Sequence, residues 1–406
     1  MPVYLIATLD TKGAEAALVR ERLQQLGLQV TLVDAGAIGT STVQADISRE
    51  EVFAAAGRTL VEVVAQNDRG AAISAAAAGV EKIVTAAFAA GQVDGVLALG
   101  GSAGTTIGTQ AMRALPIGVP KLMVSTLASG QVRPWVGDKD ILMLNSVVDI
   151  AGINRISRQI LLQAAAAMAG MVQHRASDVA AATDKPLIAA TMFGVTTPCV
   201  QRARQALEEA GYEVLVFHAT GNGGQAMESL IAEGLICGVL DITTTELADE
   251  LVGGILTAGP DRLTAAGRRG IPQVVSVGAL DMVNFGPRAT VPARFAERTF
   301  YQHNANVTLM RTTAEECARL GEEIGRKVSA AKGPATILLP RQGVSAIDRA
   351  GQPFDDPQAR ETLFAGIRST AGNTEIVELD AHINDDSFAV AAAQRLLEML
   401  AATRKS

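Results

Sequence analysis

Apolar positions in this chain fall into two kinds of block. Largely apolar runs at residues 3–9, 29–33, 95–99, 121–125 and 141–144 stop abruptly at Gly, Asp, Asn, Ser or Thr, as strands buried on both faces of a parallel sheet do. Between them, residues 13–26, 50–65 and 71–90 carry apolar positions at helical spacing, and an Ala-rich stretch at 149–173 predicts a long helix closing the first half. Strands alternating with helices predict a doubly wound α/β sheet. Residues 175–185, small and polar and ending before Pro186, read as a linker.

The second half repeats the first. Leu5-Ile6-Ala7-Thr8, its helix and Gln29-Val30-Thr31-Leu32-Val33-Asp34 are answered by Leu187-Ile188-Ala189-Ala190-Thr191 and Glu213-Val214-Leu215-Val216-Phe217-His218. Gly95-Val96-Leu97-Ala98 pairs with Gly238-Val239-Leu240-Asp241, and Gly118-Val119-Pro120-Lys121 with Gly270-Ile271-Pro272-Gln273. Asp140-Ile141-Leu142-Met143-Leu144 is matched to Asn306-Val307-Thr308-Leu309-Met310. The pattern predicts two homologous, doubly wound Rossmann-like parallel-sheet lobes, residues 1–175 and 186–406. The second is extended by strands at 336–339 and 375–379 and a final helix at 388–402.

Composition narrows the function classes. A chain of 406 residues with 48% hydrophobic and only 3% aromatic residues builds its cores from Ala, Val, Leu and Ile, which suits helix-covered parallel sheets. The net charge of −7 and the lack of a Lys/Arg cluster argue against nucleic acid as a partner. The stretches 95–112 and 159–173 are too Gly/Thr-rich or too short to span a bilayer, and Met1-Pro2-Val3-Tyr4 enters a strand with no basic leader. The expectation is a cytoplasmic protein without membrane contact. Cys199, Cys237 and Cys317 are widely spaced, so neither disulfides nor a zinc cage is expected.

Open parallel sheets bind ligands beyond the carboxyl ends of their strands, so the duplication names the residues that share a rim. In the first lobe the glycine-rich corner Gly100-Gly101-Ser102-Ala103-Gly104-Thr105-Thr106 suits phosphate, because small residues let backbone N–H groups and a helix dipole face an anion. Its spacing matches neither a Walker A loop nor G-x-G-x-x-G. Asp10, Thr11, Lys12 and Ser125 lie on the same rim; Lys12 is a candidate countercharge, with Asp10 or Thr11 as a simple helix cap the competing reading. In the second lobe His218, Thr220, Gly221 and the glycines that follow could hold an oxyanion and move a proton. Thr243, Thr244 and Thr245, between Asp241 and Glu246, could surround a sugar, a carboxylate or hydrated Mg²⁺, or could merely cap a helix. His382, Asn384 and Asp385 follow the last strand, in no recognised metal-ligand spacing. Arg288, Arg294, Arg298, His303 and Arg341 offer positive charge to an anion or simply form a solvated face. No nucleophile elbow is present.

The runs Gly118-Val119-Pro120-Lys121-Leu122-Met123-Val124-Ser125-Thr126, Ala190-Thr191-Met192-Phe193-Gly194-Val195-Thr196-Thr197-Pro198, Phe217-His218-Ala219-Thr220-Gly221 and Gly278-Ala279-Leu280-Asp281-Met282-Val283-Asn284 resemble the UPF0261 family of Tm-1-like ATP-binding domain proteins. These are similar to the N-terminal region of a tomato virus-resistance protein, and the resemblance covers essentially the whole chain. It implies a Rossmann-like homodimer that binds ATP, with Mg²⁺ a possible companion. It assigns Gly100, Gly101, Ser102, Gly104, Thr105 and Thr106 to phosphate, with Asp10, Thr11, Lys12 and Ser125 nearby. It also suggests pairing with a TIM-barrel protein. Ala103, Asn222 and Gln225 depart from the family pattern. The reading is therefore an ATP-binding metabolic enzyme. Its alternatives are an enzyme acting on a small carboxylated or sugar-acid substrate between the lobes, or a non-catalytic binding protein. In the acid–base alternative, catalysis falls to His218, Asp241 and His382, with Thr196, Thr197, Thr220, Gly221, Thr243, Thr244, Thr245, Asn284 and Asn384 holding the substrate; no metal ligands are assigned.

Overall fold

In a computed structural model, which describes residues 1–41, 43–174 and 185–403, the chain divides into two units, Met1–Ala182 and Thr183–Ser406. The linker expected at 175–185 lies, except for its last residue, outside the described residues.

The first unit holds five parallel strands, β1 (Pro2–Ala7), β2 (Gln29–Asp34), β3 (Gly95–Gly100), β4 (Lys121–Ser125) and β5 (Leu142–Asn145), in the order β2-β1-β3-β4-β5. Side chains alternate across the sheet. Val3, Leu5 and Ala7 join Val19 and Leu161 in one core, while Tyr4 and Ile6 join Val80 and Ile107 in the other. Helices Leu9–Gln25 and Arg155–Gln173 therefore cover one face, and Arg69–Ala89 and Ser102–Arg113 the other. Helix Arg69–Ala89 has the length and hydropathy of a membrane span, yet it buries Ala76, Ala77, Gly79, Val80 and Val84 against this core. Helix Ser102–Arg113 sits close on the sheet: a Cβ on Gly108 would come within 2.4 Å of the Ala98 Cβ.

The helix expected at 50–65 is two short ones, Arg49–Ala55 and Leu60–Gln66. Gly57 takes a left-handed φ of 77° between them, and Thr59 starts the second with a capping box. Its hydroxyl accepts from Glu62 N–H at 3.2 Å, and the Glu62 carboxylate accepts from Thr59 N–H at 2.9 Å. Apolar spacing carries across such a break, so periodicity alone did not show it.

The second unit has a six-stranded parallel sheet of β6 (Leu187–Met192), β7 (Glu213–His218), β8 (Ile236–Thr243), β9 (Gln273–Gly278), β13 (Ala335–Pro340) and β14 (Glu375–Leu379). Its order is β7-β6-β8-β9-β13-β14. A small antiparallel sheet of β10 (Met282–Phe285), β12 (Val307–Arg311) and β11 (Phe300–Asn304) is inserted between β9 and β13. The first four strands of each unit share one order, as the duplication requires. The match of residues 140–144 to 306–310 is corrected: β12 pairs antiparallel in the inserted sheet, and β13 takes the place beside β9 that β5 takes beside β4. An aliphatic run of this length shows the period of a strand but not its partner. Among the described residues the cysteines form no disulfide, and Cys199 and Cys317 are buried.

Candidate functional site

In the order β2-β1-β3-β4-β5 the connections reverse direction between β1 and β3, and a crevice opens there at the carboxyl ends of the strands. Helix Ser102–Arg113 starts at this point with Gly101 as its N-cap and no side-chain cap. Its first internal bond runs from Thr105 N–H to Gly101 O at 2.8 Å. Among the described residues, the N–H groups of Ser102, Ala103 and Gly104 have no acceptor. Unpaired N–H groups at a helix start carry roughly half a positive charge between them. Gly104 is required by contact, since a Cβ there would lie 2.9 Å from Leu99 O.

The crevice holds a pocket of about 110 Å³ lined by Thr8, Asp10, Thr11, Ile38, Arg69 and Ala103 among others. Its floor is internally braced. The Asp34 carboxylate accepts from Leu9 N–H at 3.0 Å and Gly36 N–H at 2.9 Å; burial pushes its pKa up against the pull of those bonds. The Asp10 carboxylate accepts from Ile38 N–H at 3.0 Å and Gly39 N–H at 3.3 Å, so it fixes the loop after β2 and is not a free base. Thr8 and Thr11 hydroxyls lie 3.0 Å apart.

Of the residues expected to touch phosphate, Asp10 and Thr11 line the pocket, while Gly100, Gly101, Ser102 and Gly104 form the strand-to-helix corner whose Ala103 lines it. Thr105 and Ser125 are fully buried and bonded to each other at 2.7 Å, which makes them the base of the corner and not its lining. The Thr106 hydroxyl donates to Ser102 O at 3.0 Å. Lys12 sits at a break in helix Leu9–Gln25 and does not line the pocket. The cation that does is Arg69, exposed and with no ion pair among the described residues. Sequence reading missed it, because an Arg following the N-cap Asp68 looks like any solvated helix start.

The second unit uses its corresponding residues internally. Arg262, buried, donates to both Asp241 oxygens at 2.5 and 2.7 Å and to the Glu246 carboxylate at 2.7 Å. Asp241 also accepts from the Thr191 hydroxyl at 2.7 Å. Among the described residues its side-chain hydrogen bonds are all internal, to Arg262 and Thr191. Glu246 in turn accepts from Gly221 N–H at 2.7 Å and Gly224 N–H at 3.1 Å. The glycine-rich corner after β7 thus already holds an anion, the chain's own. Burial raises the Glu246 pKa, opposed by Arg262.

The threonine run is likewise spent on packing. Thr243, Thr244 and Thr245 are all fully buried. The Thr243 hydroxyl bonds Thr196 at 2.7 Å, Thr244 donates to Ser276 O at 3.0 Å, and Thr245 accepts from Asn284 at 3.4 Å. Asn284 donates to Asp249 at 2.7 Å, whose pKa burial lifts to about 7. Thr197 donates to Phe193 O, Thr220 to His218 O, and the Asn384 amide to Val195 O. Of the expected substrate residues, Asn284 alone keeps a buried side-chain atom, Oδ1, without a hydrogen-bond partner among the described residues.

His382 is 1% exposed. Its Nδ1 accepts from Asn384 N–H at 3.1 Å, so the ring proton is on Nε2, which donates to Ser345 O at 2.9 Å. Burial lowers its pKa. In this arrangement both ring nitrogens are engaged inside the protein. His218 is exposed against Phe193, ring centroids 5.5 Å apart. Among the described residues no hydrogen bond joins His218, Asp241 and His382 to one another. Among the described residues no group of three or more His, Cys, Asp or Glu is placed to hold a metal.

Residues 1–177 match the N-terminal domain, and residues 185–400 the C-terminal domain, of a family described as "Uncharacterised protein family (UPF0261)". A "UPF0261 protein" of Clostridium tetani is 48% identical over 98% of both chains. "UPF0261 protein RA0729" of Rhizobium meliloti is 48% identical over 96% of this chain and 97% of its own. The "ToMV resistance protein Tm-1(GCR237)" of Solanum lycopersicum is 40% identical over 98% of this chain, which spans 55% of the tomato protein. Among solved structures, a Streptomyces glycosyltransferase, SsfS6, complexed with thymidine diphosphate, aligns over 99% of this chain and 96% of its own at 14% identity, with a TM-score of 0.20. With both halves matched in order, the chain belongs to the UPF0261 family.

Proposed function

We propose that the first unit binds ATP, with its phosphates on the N–H groups of Ser102, Ala103 and Gly104 and against Arg69. The observation that carries this reading is the uncapped start of helix Ser102–Arg113, open to a pocket at the reversal between β1 and β3. Preorganised N–H donors and a helix dipole favour a polyanion, and a guanidinium adds paired, charge-assisted hydrogen bonds. The choice of ATP among phosphorylated ligands, and the metabolic role, rest on the family resemblance. Mg²⁺ would arrive with the triphosphate and be held chiefly by it and by water. The same reading carries the expectation of a cytoplasmic homodimer.

Ala103→Asp tests the site. It places a carboxylate in the pocket at a helix position where Asp is favourable, so the fold is retained. Calorimetric titration is expected to show one ATP per chain for the wild type and at least ~10-fold weaker binding in Ala103→Asp, a change worth about 1.4 kcal/mol. Arg69→Ala is expected to weaken binding by roughly 5-fold, within the range of one exposed charge contact. Unchanged affinity in Ala103→Asp, with an unchanged circular dichroism spectrum, contradicts the reading.

A further inference from the structure

On their outer side, helices Leu9–Gln25 and Arg155–Gln173 leave between them a groove of about 470 Å³. Its floor is apolar, made by the half-buried Leu18 and Leu162 with Ala166. Its walls are long polar side chains, Glu21, Arg22 and Gln25 from the first helix and Arg158, Gln159 and Gln163 from the second. The two arginines reach the groove from different helices, and neither has an ion pair among the described residues. Arg22 is held in place through Gln25: its Nη1 donates to Gln25 Oε1 at 3.3 Å, and Gln25 Nε2 donates to Glu21 at 3.1 Å. Arg158 stands near the start of its helix, which has Arg155 and no acidic residue in its first turn. A cation there opposes the positive end of the helix dipole. The helix start itself is already served, since Asn154 accepts from Ile156 and Ser157 N–H at 2.9 and 3.0 Å. Helix electrostatics therefore disfavour Arg158 where it stands, unless an anion faces it.

We propose that this groove binds a small hydroxylated monocarboxylate of the aldonic-acid class, its carboxylate between Arg22 and Arg158 and its carbon chain along Leu18, Leu162 and Ala166. A guanidinium pairs with a carboxylate through two parallel, charge-assisted hydrogen bonds. The Gln159 and Gln163 amides and the Glu21 carboxylate supply donors and acceptors for the hydroxyls. With two guanidinium groups against one carboxylate, the groove has a single net positive charge. That matches a monoanion, while Glu21 repels the second charge of a dianion or a polyphosphate. A fatty acid would set hydrocarbon against the amides, and a neutral sugar would leave both guanidinium groups unmatched. The groove begins at Leu18, about two turns along the helix from Thr11, and shares no lining residue with the crevice at Ser102. The proposal therefore stands or falls independently of the nucleotide reading.

The test is titration calorimetry on the full chain with sodium gluconate, sodium galactonate, the dianion glucarate and uncharged glucose. Saturable binding of at least one of the two aldonates is expected, one per chain, with none of glucose, and saturating ATP leaves the affinity unchanged. Arg158→Gln, at an exposed helical position, is expected to keep the circular dichroism spectrum and to weaken aldonate binding at least ~5-fold, the scale of one exposed charge contact. Glu21→Gln removes the charge that repels a second carboxylate and is expected to raise glucarate affinity at least ~3-fold, a gain that damage to the fold does not produce. Absence of saturable aldonate binding by the wild type, equal binding of glucose, or unchanged aldonate affinity in Arg158→Gln overturns the proposal. Displacement of the aldonate by ATP overturns it as well, because it puts the ligand in the crevice. A glucarate affinity unmoved by Glu21→Gln overturns the charge selection on which the ligand class rests.

Discussion

Histidine and aspartate at strand ends announce chemistry by type, but what they do is decided by neighbours far along the chain. His382 is fixed by Ser345, Asp241 by Arg262, and Asp281 by Ser345. None of these pairings has a local sequence signal, and Arg262 in its Pro260-Asp261-Arg262 loop looks like a surface residue. Asp281 offers a residue-scale prediction. One oxygen accepts from the Ser345 hydroxyl at 2.7 Å, while the other is buried without a partner. Burial, reinforced by the nearby Asp348 charge, raises its pKa to about 7. The folded state then holds a proton that the unfolded chain, near 3.8, releases. Its contribution to stability is complete below about 4 and is lost as pH rises toward about 7. The melting temperature of the wild type is expected to fall across that window more steeply than that of Asp281→Asn, measured by scanning calorimetry; parallel profiles contradict the assignment.

At the scale of elements, the molecule builds two glycine-rich helix starts and leaves only one open. The starts themselves were legible, because glycine runs after aliphatic runs mark close backbone approach. Their occupants were not. At Gly221 and Gly224 the N–H groups bond Glu246, which comes from the next strand–helix junction and is neutralised by Arg262. The start at Ser102 has no such carboxylate. Arg262→Leu would strand Asp241 and Glu246 as uncompensated buried charges. It is expected to cost the second unit about 3–5 kcal/mol, read as an earlier denaturant midpoint, with ATP affinity of the first unit unchanged. An unshifted midpoint contradicts the structural role given to this network. The small sheet of β10, β11 and β12 was illegible for a related reason: alternation fixes a strand's period, while its antiparallel partner is set by hairpin contacts formed only in the fold.

At the scale of the whole molecule, the two units share the strand order of their first four strands and differ in what fills the crevice. Duplication was readable because each βαβ block keeps its register, and the sheet orders bear it out for β1 to β4 against β6 to β9. The open helix start did not duplicate with it. Among the described residues, unit one retains small residues, free N–H groups and an arginine without an ion pair around a pocket, while unit two has closed its corner with internal ion pairs. The account therefore predicts one nucleotide per chain, on the first unit. The most direct measurement is a crystal structure with a non-hydrolysable ATP analogue. The account predicts a phosphate oxygen within ordinary hydrogen-bond distance, about 2.7–3.2 Å, of the Ser102, Ala103 or Gly104 nitrogen, and no ligand at Gly221 and Gly224. Analogue density elsewhere, with the Ser102 start left empty, would contradict it.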